Sequence, residues 1–204
     1  GSIYDHPQVE AVLSEGRTFV RRTARSFDVI LMGFVDSWAA VASGGLSLSE
    51  NHLYTVEAFR DYLDKLTPDG QLLILRWDVD APRLVSNAVA LLGVEEAGKR
   101  VAVLLETREG DREDPPQMIF MLKKRPWTED ETARMAAWPG VQPVILPGRH
   151  VDEPYASLFG GRTSFADYVA QAKTRVDPVF DDRPFFFART KPWGLPGAMK
   201  RAFL

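Results

Sequence analysis

The sequence contains no cysteine, so disulfide bridges and thiolate metal sites are excluded. No apolar run approaches the roughly 18 residues that a membrane-spanning helix needs, and no signal-peptide pattern opens the chain. The formal net charge of -3 lacks the basic excess that is typical of nucleic-acid-binding proteins. The three histidines lie far apart without ligand spacing, which predicts no metal site. Together these absences favour a cytoplasmic domain that does not bind nucleic acid.

The remaining composition is that of an ordinary globular protein, with 45% apolar and 26% charged residues in 204. A chain of this length can bury a sizeable core, and it predicts one domain. We expect that domain to cover residues 1–190. Prolines and glycines become frequent after Trp138, so residues 138–190 are interpreted as an extension wrapped on the domain. Residues 191–204 are interpreted as a C-terminal tail.

Short apolar runs without alternation predict strands that are buried on both faces of a sheet. They occur at residues 29–32, 72–75, 101–105 and 118–122, with a weaker run at residues 9–13. Helices are predicted between the runs. Since strands alternate with helices, the pattern predicts an α/β fold with a mostly parallel sheet and helices on both faces.

The helix boundaries are predicted from capping and turn chemistry. Thr55 is a candidate N-cap, and Thr128 with Glu131 forms a candidate capping box. Residues 82–92 predict a helix that stops at Gly93, and residues 164–172 predict another. Residues 67–70 (TPDG) predict a turn before a strand.

Several stretches together resemble the polyamine aminopropyltransferases, the spermidine synthase family. They are residues 9–17, 27–30, 53–59 and 66–70, with Asp36 just past the second of them. A narrower resemblance is to bacterial spermidine-synthase-like proteins that carry the domain beside membrane spans. It lies in residues 35–40, 48–51, 69–70, 76–77 and 181–187 (DDRPFFF). The order and spacing of the stretches make the resemblance specific.

The resemblance implies a fold like that of class I methyltransferases, with a seven-stranded sheet of order 3-2-1-4-5-7-6. In the family a Gly-rich loop after strand 1 and an acidic residue after strand 2 hold the cofactor. No stretch of this sequence matches either, so the chain is expected to be the C-terminal part of the domain, without strands 1 and 2. The family also has two aspartates three residues apart after the strand that matches residues 27–30. Here Gly33 takes the place of the first, and Asp36 matches the second.

The resemblance also supplies the candidate site residues. Glu15 and Gly16 are predicted to bind the adenine of the cofactor, although a glutamate there can equally begin a helix. Asp36 is predicted to be catalytic, because a carboxylate can deprotonate or orient an amine nucleophile; the alternative is a loop or capping carboxylate. Glu50 and Tyr54 are predicted to bind the substrate, and the alternative for Tyr54 is a place in the core.

Three functions follow from the resemblance. The first is a transferase domain that uses S-adenosylmethionine or its decarboxylated form to alkylate a small amine. The second is a methyltransferase of the same fold, and the third is a non-catalytic interaction or regulatory domain. Gly33 makes true spermidine synthase activity doubtful, and the chain alone is expected to bind cofactor weakly or not at all. The expected partner is either the missing N-terminal half or a second copy across an exposed sheet edge. A membrane is expected only through the parent protein, since Lys200 and Arg201 lie where the narrower subgroup approaches a span.

Overall fold

The computed structural model describes residues 2–34, 52–107 and 115–191. Within them the chain forms a six-stranded sheet with helices on both faces, so the predicted α/β class is confirmed. The strands are β1 (Phe27–Gly33), β2 (Leu66–Trp77), β3 (Val101–Glu106), β4 (Gln117–Lys123), β5 (Val141–Leu146) and β6 (His150–Val151). The helices are α1 (Gly16–Arg22), α2 (Val56–Lys65), α3 (Ala81–Leu92), α4 (Val94–Arg100), α5 (Glu129–Ala136), α6 (Tyr155–Phe159) and α7 (Phe165–Gln171).

The strand order in the sheet is β1-β2-β4-β3-β5-β6. Strands β1 and β2 pair in parallel, whereas the other four pairings are antiparallel. Parallel pairing was therefore over-predicted. The reason is the connection between β3 and β4, residues 107–116, which is shorter than the dozen or more residues that a parallel crossover needs. Strand β4 therefore returns antiparallel between β2 and β3, and the order β1-β2-β4-β3 reproduces the 4-5-7-6 segment that the resemblance implies.

The turn predicted at residues 67–70 is instead an irregularity inside β2. Phe27 pairs with Leu66, and the next pair joins Val29 to Gln71, so four residues of β2 lie opposite Asp28 alone. The hydroxyl of Thr67 donates to the carboxylate of Asp28 at 2.8 Å. A Cβ on Gly70 would lie 2.8 Å from the carbonyl oxygen of Phe27, so only glycine fits there.

The strand predicted at residues 9–13 was wrong. These residues form no strand, and Leu13 is fully exposed. A lone apolar run cannot form a strand without a neighbour that satisfies its backbone groups. Strand β1 is consequently the first strand of the sheet, and it lies at the edge of the sheet in the part of the chain that the structure describes.

The two faces of the sheet are covered to different extents. On the first face Leu72 and Ile74 are completely buried beneath helices α1 to α4. On the second face Met135 of α5 packs against Leu104 and other residues of the central strands. That cover does not reach β1, where 47% of Val29 and 59% of Leu31 is exposed.

The predicted helix caps are confirmed. Thr55 accepts the amide of Ala58. Ser164, which was predicted to begin a helix but not to cap it, accepts the amide of Asp167. Thr128 and Glu131 form the reciprocal capping box. Gly93 separates α3 from α4 with φ +83°, a conformation that favours glycine. In the described residues no helix has the length and apolarity to cross a membrane.

Candidate functional site

The carboxyl ends of β1 and β2 form the edge of the sheet where α/β folds bind ligands. Phe34 follows β1 with φ 47°, an uncommon conformation for a residue with a side chain. Its ring meets that of Trp77, at the end of β2, edge to face at 4.9 Å. The first feature of this edge is therefore an aromatic pair held by a strained backbone.

Arg76 is a charged residue buried in this edge, with 3% of its side chain exposed. Its guanidinium lies 5.9 Å from the ring of Phe34, 5.5 Å from Tyr54 and 4.9 Å from Phe187. The Nε of Arg76 donates to buried Asp80 at 3.0 Å. A cation in such an aromatic setting is stabilised by the ring faces as well as by its carboxylate partner.

Residues 176–189, here called the C-terminal strap, cover this edge. Phe186 stacks on Tyr54 at 4.7 Å, and Arg189 donates to the second oxygen of Asp80 at 2.6 Å. Asn87 of α3 joins the strap to the segment before α2, because its amide donates to the Tyr54 carbonyl and accepts the Val179 amide.

Arg83 of α3 holds the far end of the strap. It donates to the carbonyls of Phe185 at 2.8 Å and Ala188 at 3.1 Å, and also to that of Phe186. Burial lowers the pKa of Arg83 to about 10, so the group stays protonated at neutral pH. Buried carbonyl acceptors around a cation make this end of the strap an integral part of the core.

Arg17 of α1 holds the near end of the strap. It binds Asp181 with both terminal nitrogens, at 2.7 and 2.9 Å, and binds Asp61 of α2 through Nε at 2.7 Å. The Thr55 hydroxyl donates to Asp181 at 2.6 Å. Partial burial raises the pKa of Asp181, but the hydrogen bonds from Arg17 and Thr55 outweigh it and bring the pKa down to about 2.

Glu15 and Gly16, predicted to bind the cofactor, begin helix α1. Both carboxylate oxygens of Glu15 accept helix amides, from Arg17 at 2.8 Å and Thr18 at 2.7 Å. Partial burial raises the pKa of Glu15, but these hydrogen bonds outweigh it and leave the pKa below its usual value. A Cβ on Gly16 would meet no atom within 4 Å, so the backbone there is open to a flat ligand. The capping role accounts for the geometry of Glu15, and the cofactor role stays a prediction.

The other predicted site residues fall differently. Tyr54 is completely buried beneath the strap, in the core position that was its alternative. Its predicted contact with substrate requires that the strap move. Asp36 and Glu50 lie outside the described residues, so their predicted roles remain predictions.

An S-adenosylmethionine-type cofactor would be met only in part by the described residues. The open backbone at Gly16 can accept an adenine ring, with Glu15 beside it. Residues 2–34, 52–107 and 115–191 include no Gly-rich loop after a strand, and none of them matches the acid with which the family holds the ribose. These residues therefore do not hold the rest of such a cofactor. Nor do they include a cluster of three His, Asp or Glu side chains able to bind a metal ion.

The sequence did not reveal the buried charged and polar residues that organise this edge. They are Arg17, Arg76, Asp80, Arg83 and Asn87. Charged residues of this kind look solvent-exposed in a sequence, and their partners lie up to 164 residues away. The one available signal is the stretch at residues 181–187, which carries part of the resemblance.

No family model matches the chain, and no curated protein matches it. Among solved structures, the chain is similar to one described as a probable spermidine synthase from Corynebacterium glutamicum ATCC 13032. The identity is 14% and the TM-score is 0.45. The match covers 72% of this chain and 50% of the other, so the chain spans about half the length of that structure.

Proposed function

We propose that this chain forms the part of a spermidine-synthase-like transferase domain that lies beyond the cofactor loop. In this proposal further strands continue the sheet across β1, and the completed domain uses S-adenosylmethionine or its decarboxylated form to alkylate a small amine. The observation that carries the proposal is the edge at β1, which no strand of the described residues covers and where about half of Val29 and Leu31 is exposed. Apolar side chains on an edge strand are normally covered, because such an edge invites pairing.

The right-handed connection between β1 and β2 supports the proposal that further strands cover the β1 edge. Helix α2 connects parallel strands β1 and β2 and packs on the first face. Parallel crossovers are right-handed, so strands added on the other side of β1 would place their helices on the second face. That is the face on which Val29 and Leu31 are exposed. The β1 edge would then be the point where the winding reverses, which is where open α/β sheets bind their ligands.

The roles of individual residues follow from this proposal. Glu15 and Gly16 would meet the adenine, and Asp36 would accept a proton from the ammonium or orient the amine. Glu50 would contact the substrate, and buried Tyr54 would do so only after the C-terminal strap had moved. Gly33 stands where the family has its first acid, so a methyltransferase remains an alternative within the same fold. In the parent protein we place this domain in the cytoplasm, beside a membrane.

Titration calorimetry tests the proposal. Titrated into the chain alone, S-adenosylmethionine and its decarboxylated form are expected to bind no better than about 1 mM. A longer chain that continues the gene upstream is expected to bind one of them at micromolar concentration, and Glu15→Gln to weaken that binding. Low-micromolar binding by the chain alone would refute the requirement for further strands.

A second candidate is a non-catalytic interaction domain that retains the fold. It is favoured by the inaccessibility of Tyr54 and Arg76, which fills the ligand edge with the protein's own side chains. Here a second copy of the chain would cover β1 and give a continuous sheet. The two candidates differ in the calorimetric result, because an interaction domain binds neither cofactor in the longer chain.

A further inference from the structure

A cleft of about 550 Å³ lies between the start of α3 and helices α6 and α7. Its walls include apolar side chains and two tyrosine rings: Pro82, Pro154, Ala172, Val176, Tyr155 and Tyr168. The volume falls within the range of small-molecule sites, and a mostly apolar wall is their usual character.

The position of the cleft in the sheet is that of a ligand site. Pro82 comes shortly after the carboxyl end of β2, and Pro154 comes shortly after that of β6. The antiparallel pairings from β2 through β4, β3 and β5 make β6 point the same way as β2. Both walls therefore lie at the carboxyl edge of the sheet, where α/β folds bind ligands.

The floor of the cleft is rigid and aromatic. The rings of Tyr155 and Tyr168 lie 6.2 Å apart, and Phe165 stacks on Tyr168 at 6.2 Å. Both tyrosines are more than nine-tenths buried, and the Tyr168 hydroxyl points to the Pro82 carbonyl at 3.5 Å. A floor of this kind packs best against a flat apolar ring.

The rim of the cleft supplies the charge. Glu153 is neutralised by Arg162 at 2.8 Å and also accepts the Ser157 amide. Lys173 is exposed at the rim, and in the part of the chain that the structure describes its ammonium forms no ion pair. Thr163 and Thr174 also line the cleft, and threonine hydroxyls can donate hydrogen bonds. The rim therefore favours an anion over a cation.

We propose that this cleft binds a small aromatic carboxylate, with its ring on the tyrosine floor and its carboxylate against Lys173. The lining of the cleft includes none of the residues proposed for the transferase site, and the proposal does not depend on the proposed transferase function. A cationic amine of the same shape is a poor ligand here, because it would meet Lys173.

Amide NMR titrations with three probes of one shape test this site: 3-phenylpropionate, 3-phenylpropionamide and 3-phenylpropylamine. The acid is expected to saturate in the millimolar range, with shifts in residues 153–157 and 171–176, and the amine to bind weakest. Lys173→Gln should weaken the acid about two- to five-fold, as expected for an exposed ion pair, and leave the amide unchanged. Ala172→Trp should fill the cleft and abolish binding of both.

Lys99→Gln is the matched control, since Lys99 is an exposed lysine outside this cleft, and it should leave all three titrations unchanged. The proposal is overturned if no probe saturates below about 10 mM. It is also overturned if the acid and the amide bind equally, or if the shifts lie elsewhere on the domain. Lys173 is exposed, so its variant is expected to fold even if Ala172→Trp does not.

Discussion

Arg17 binds Asp181 through two hydrogen bonds of 2.7 and 2.9 Å that join positions 164 residues apart. The pair ties helix α1 to the C-terminal strap. Only 9% of the Arg17 side chain is exposed, so its charge depends on these partners. The strap therefore contributes to the stability of the domain.

Removing Arg17 should strongly destabilise the domain. We expect Arg17→Met to lower the free energy of unfolding by about 1–3 kcal/mol, because it removes the hydrogen bonds of the buried guanidinium to the partly exposed carboxylates of Asp61 and Asp181. Urea unfolding followed by circular dichroism measures the change. Arg21→Met is the control, since Arg21 is 63% exposed and only 3.7 Å from Asp61. A loss below about 1 kcal/mol for Arg17→Met would show that the strap does not depend on this pair.

The sequence predicted those features that depend on neighbours along the chain. Thr55 and Thr128 cap their helices as expected, because a cap is a hydrogen bond within three residues. The strand predicted at residues 9–13 was wrong, because a strand needs a partner strand from elsewhere in the chain. Strand β5 was missed because Pro143 interrupts a short, half-buried run.

The candidate site was less predictable than the fold. Glu15 begins a helix, which was the alternative to its predicted cofactor role, and its contacts with the amides of Arg17 and Thr18 are those of a cap. The burial of Arg76 among three rings depends on Tyr54 and Phe187, which are distant in the sequence. No local sequence pattern predicts such a cluster, because the residues that bury the charge and the residues that stabilise it are both distant in the sequence.

The acid side of the stability curve should depend on Asp181. Its pKa is about 2 in the folded chain against an ordinary value of 3.8. A depressed pKa stabilises the fold above the unfolded value, and this contribution is lost as the pH falls from about 4 to about 2. Urea unfolding at a series of pH values measures this. The difference in free energy of unfolding between wild type and Asp181→Asn should shrink as the pH falls across that window. Asp182→Asn, at an exposed neighbour, should run parallel to wild type. An unchanged gap between wild type and Asp181→Asn down to pH of about 2 would contradict the assignment.

Gly33 should tolerate an aspartate. A Cβ there would meet the Leu75 side chain at 3.6 Å, an ordinary contact, and φ at Gly33 is not positive. We expect Gly33→Asp to change the free energy of unfolding by no more than about 0.5–1 kcal/mol. Gly70→Ala should cost about 1–3 kcal/mol, since its Cβ would lie 2.8 Å from a backbone oxygen. Thermal unfolding of both variants measures the contrast, and equal losses would show that the irregularity in β2 relaxes.

Asn87 should be needed for the strap to dock. Asn87→Leu removes the partners of the Tyr54 carbonyl and the Val179 amide in a buried site. Each unsatisfied group costs about 1–3 kcal/mol, so we expect a total of about 2–4 kcal/mol. Hydrogen exchange of the Val179 amide should become faster in the variant. An unchanged exchange rate of that amide would show that the surrounding packing, and not Asn87, protects it from exchange.

Multi-angle light scattering of the chain at about 50 μM tests most directly whether β1 is an edge that must be covered. With no other strands present, a second copy is expected to cover the edge, so the chain should be a dimer. Leu31→Lys should make it a monomer, because a charge on an edge strand blocks pairing. Val79→Lys is the matched control at another exposed apolar side chain, and it should leave the dimer intact. A monomeric wild-type chain at this concentration would contradict the claim that β1 is a docking edge.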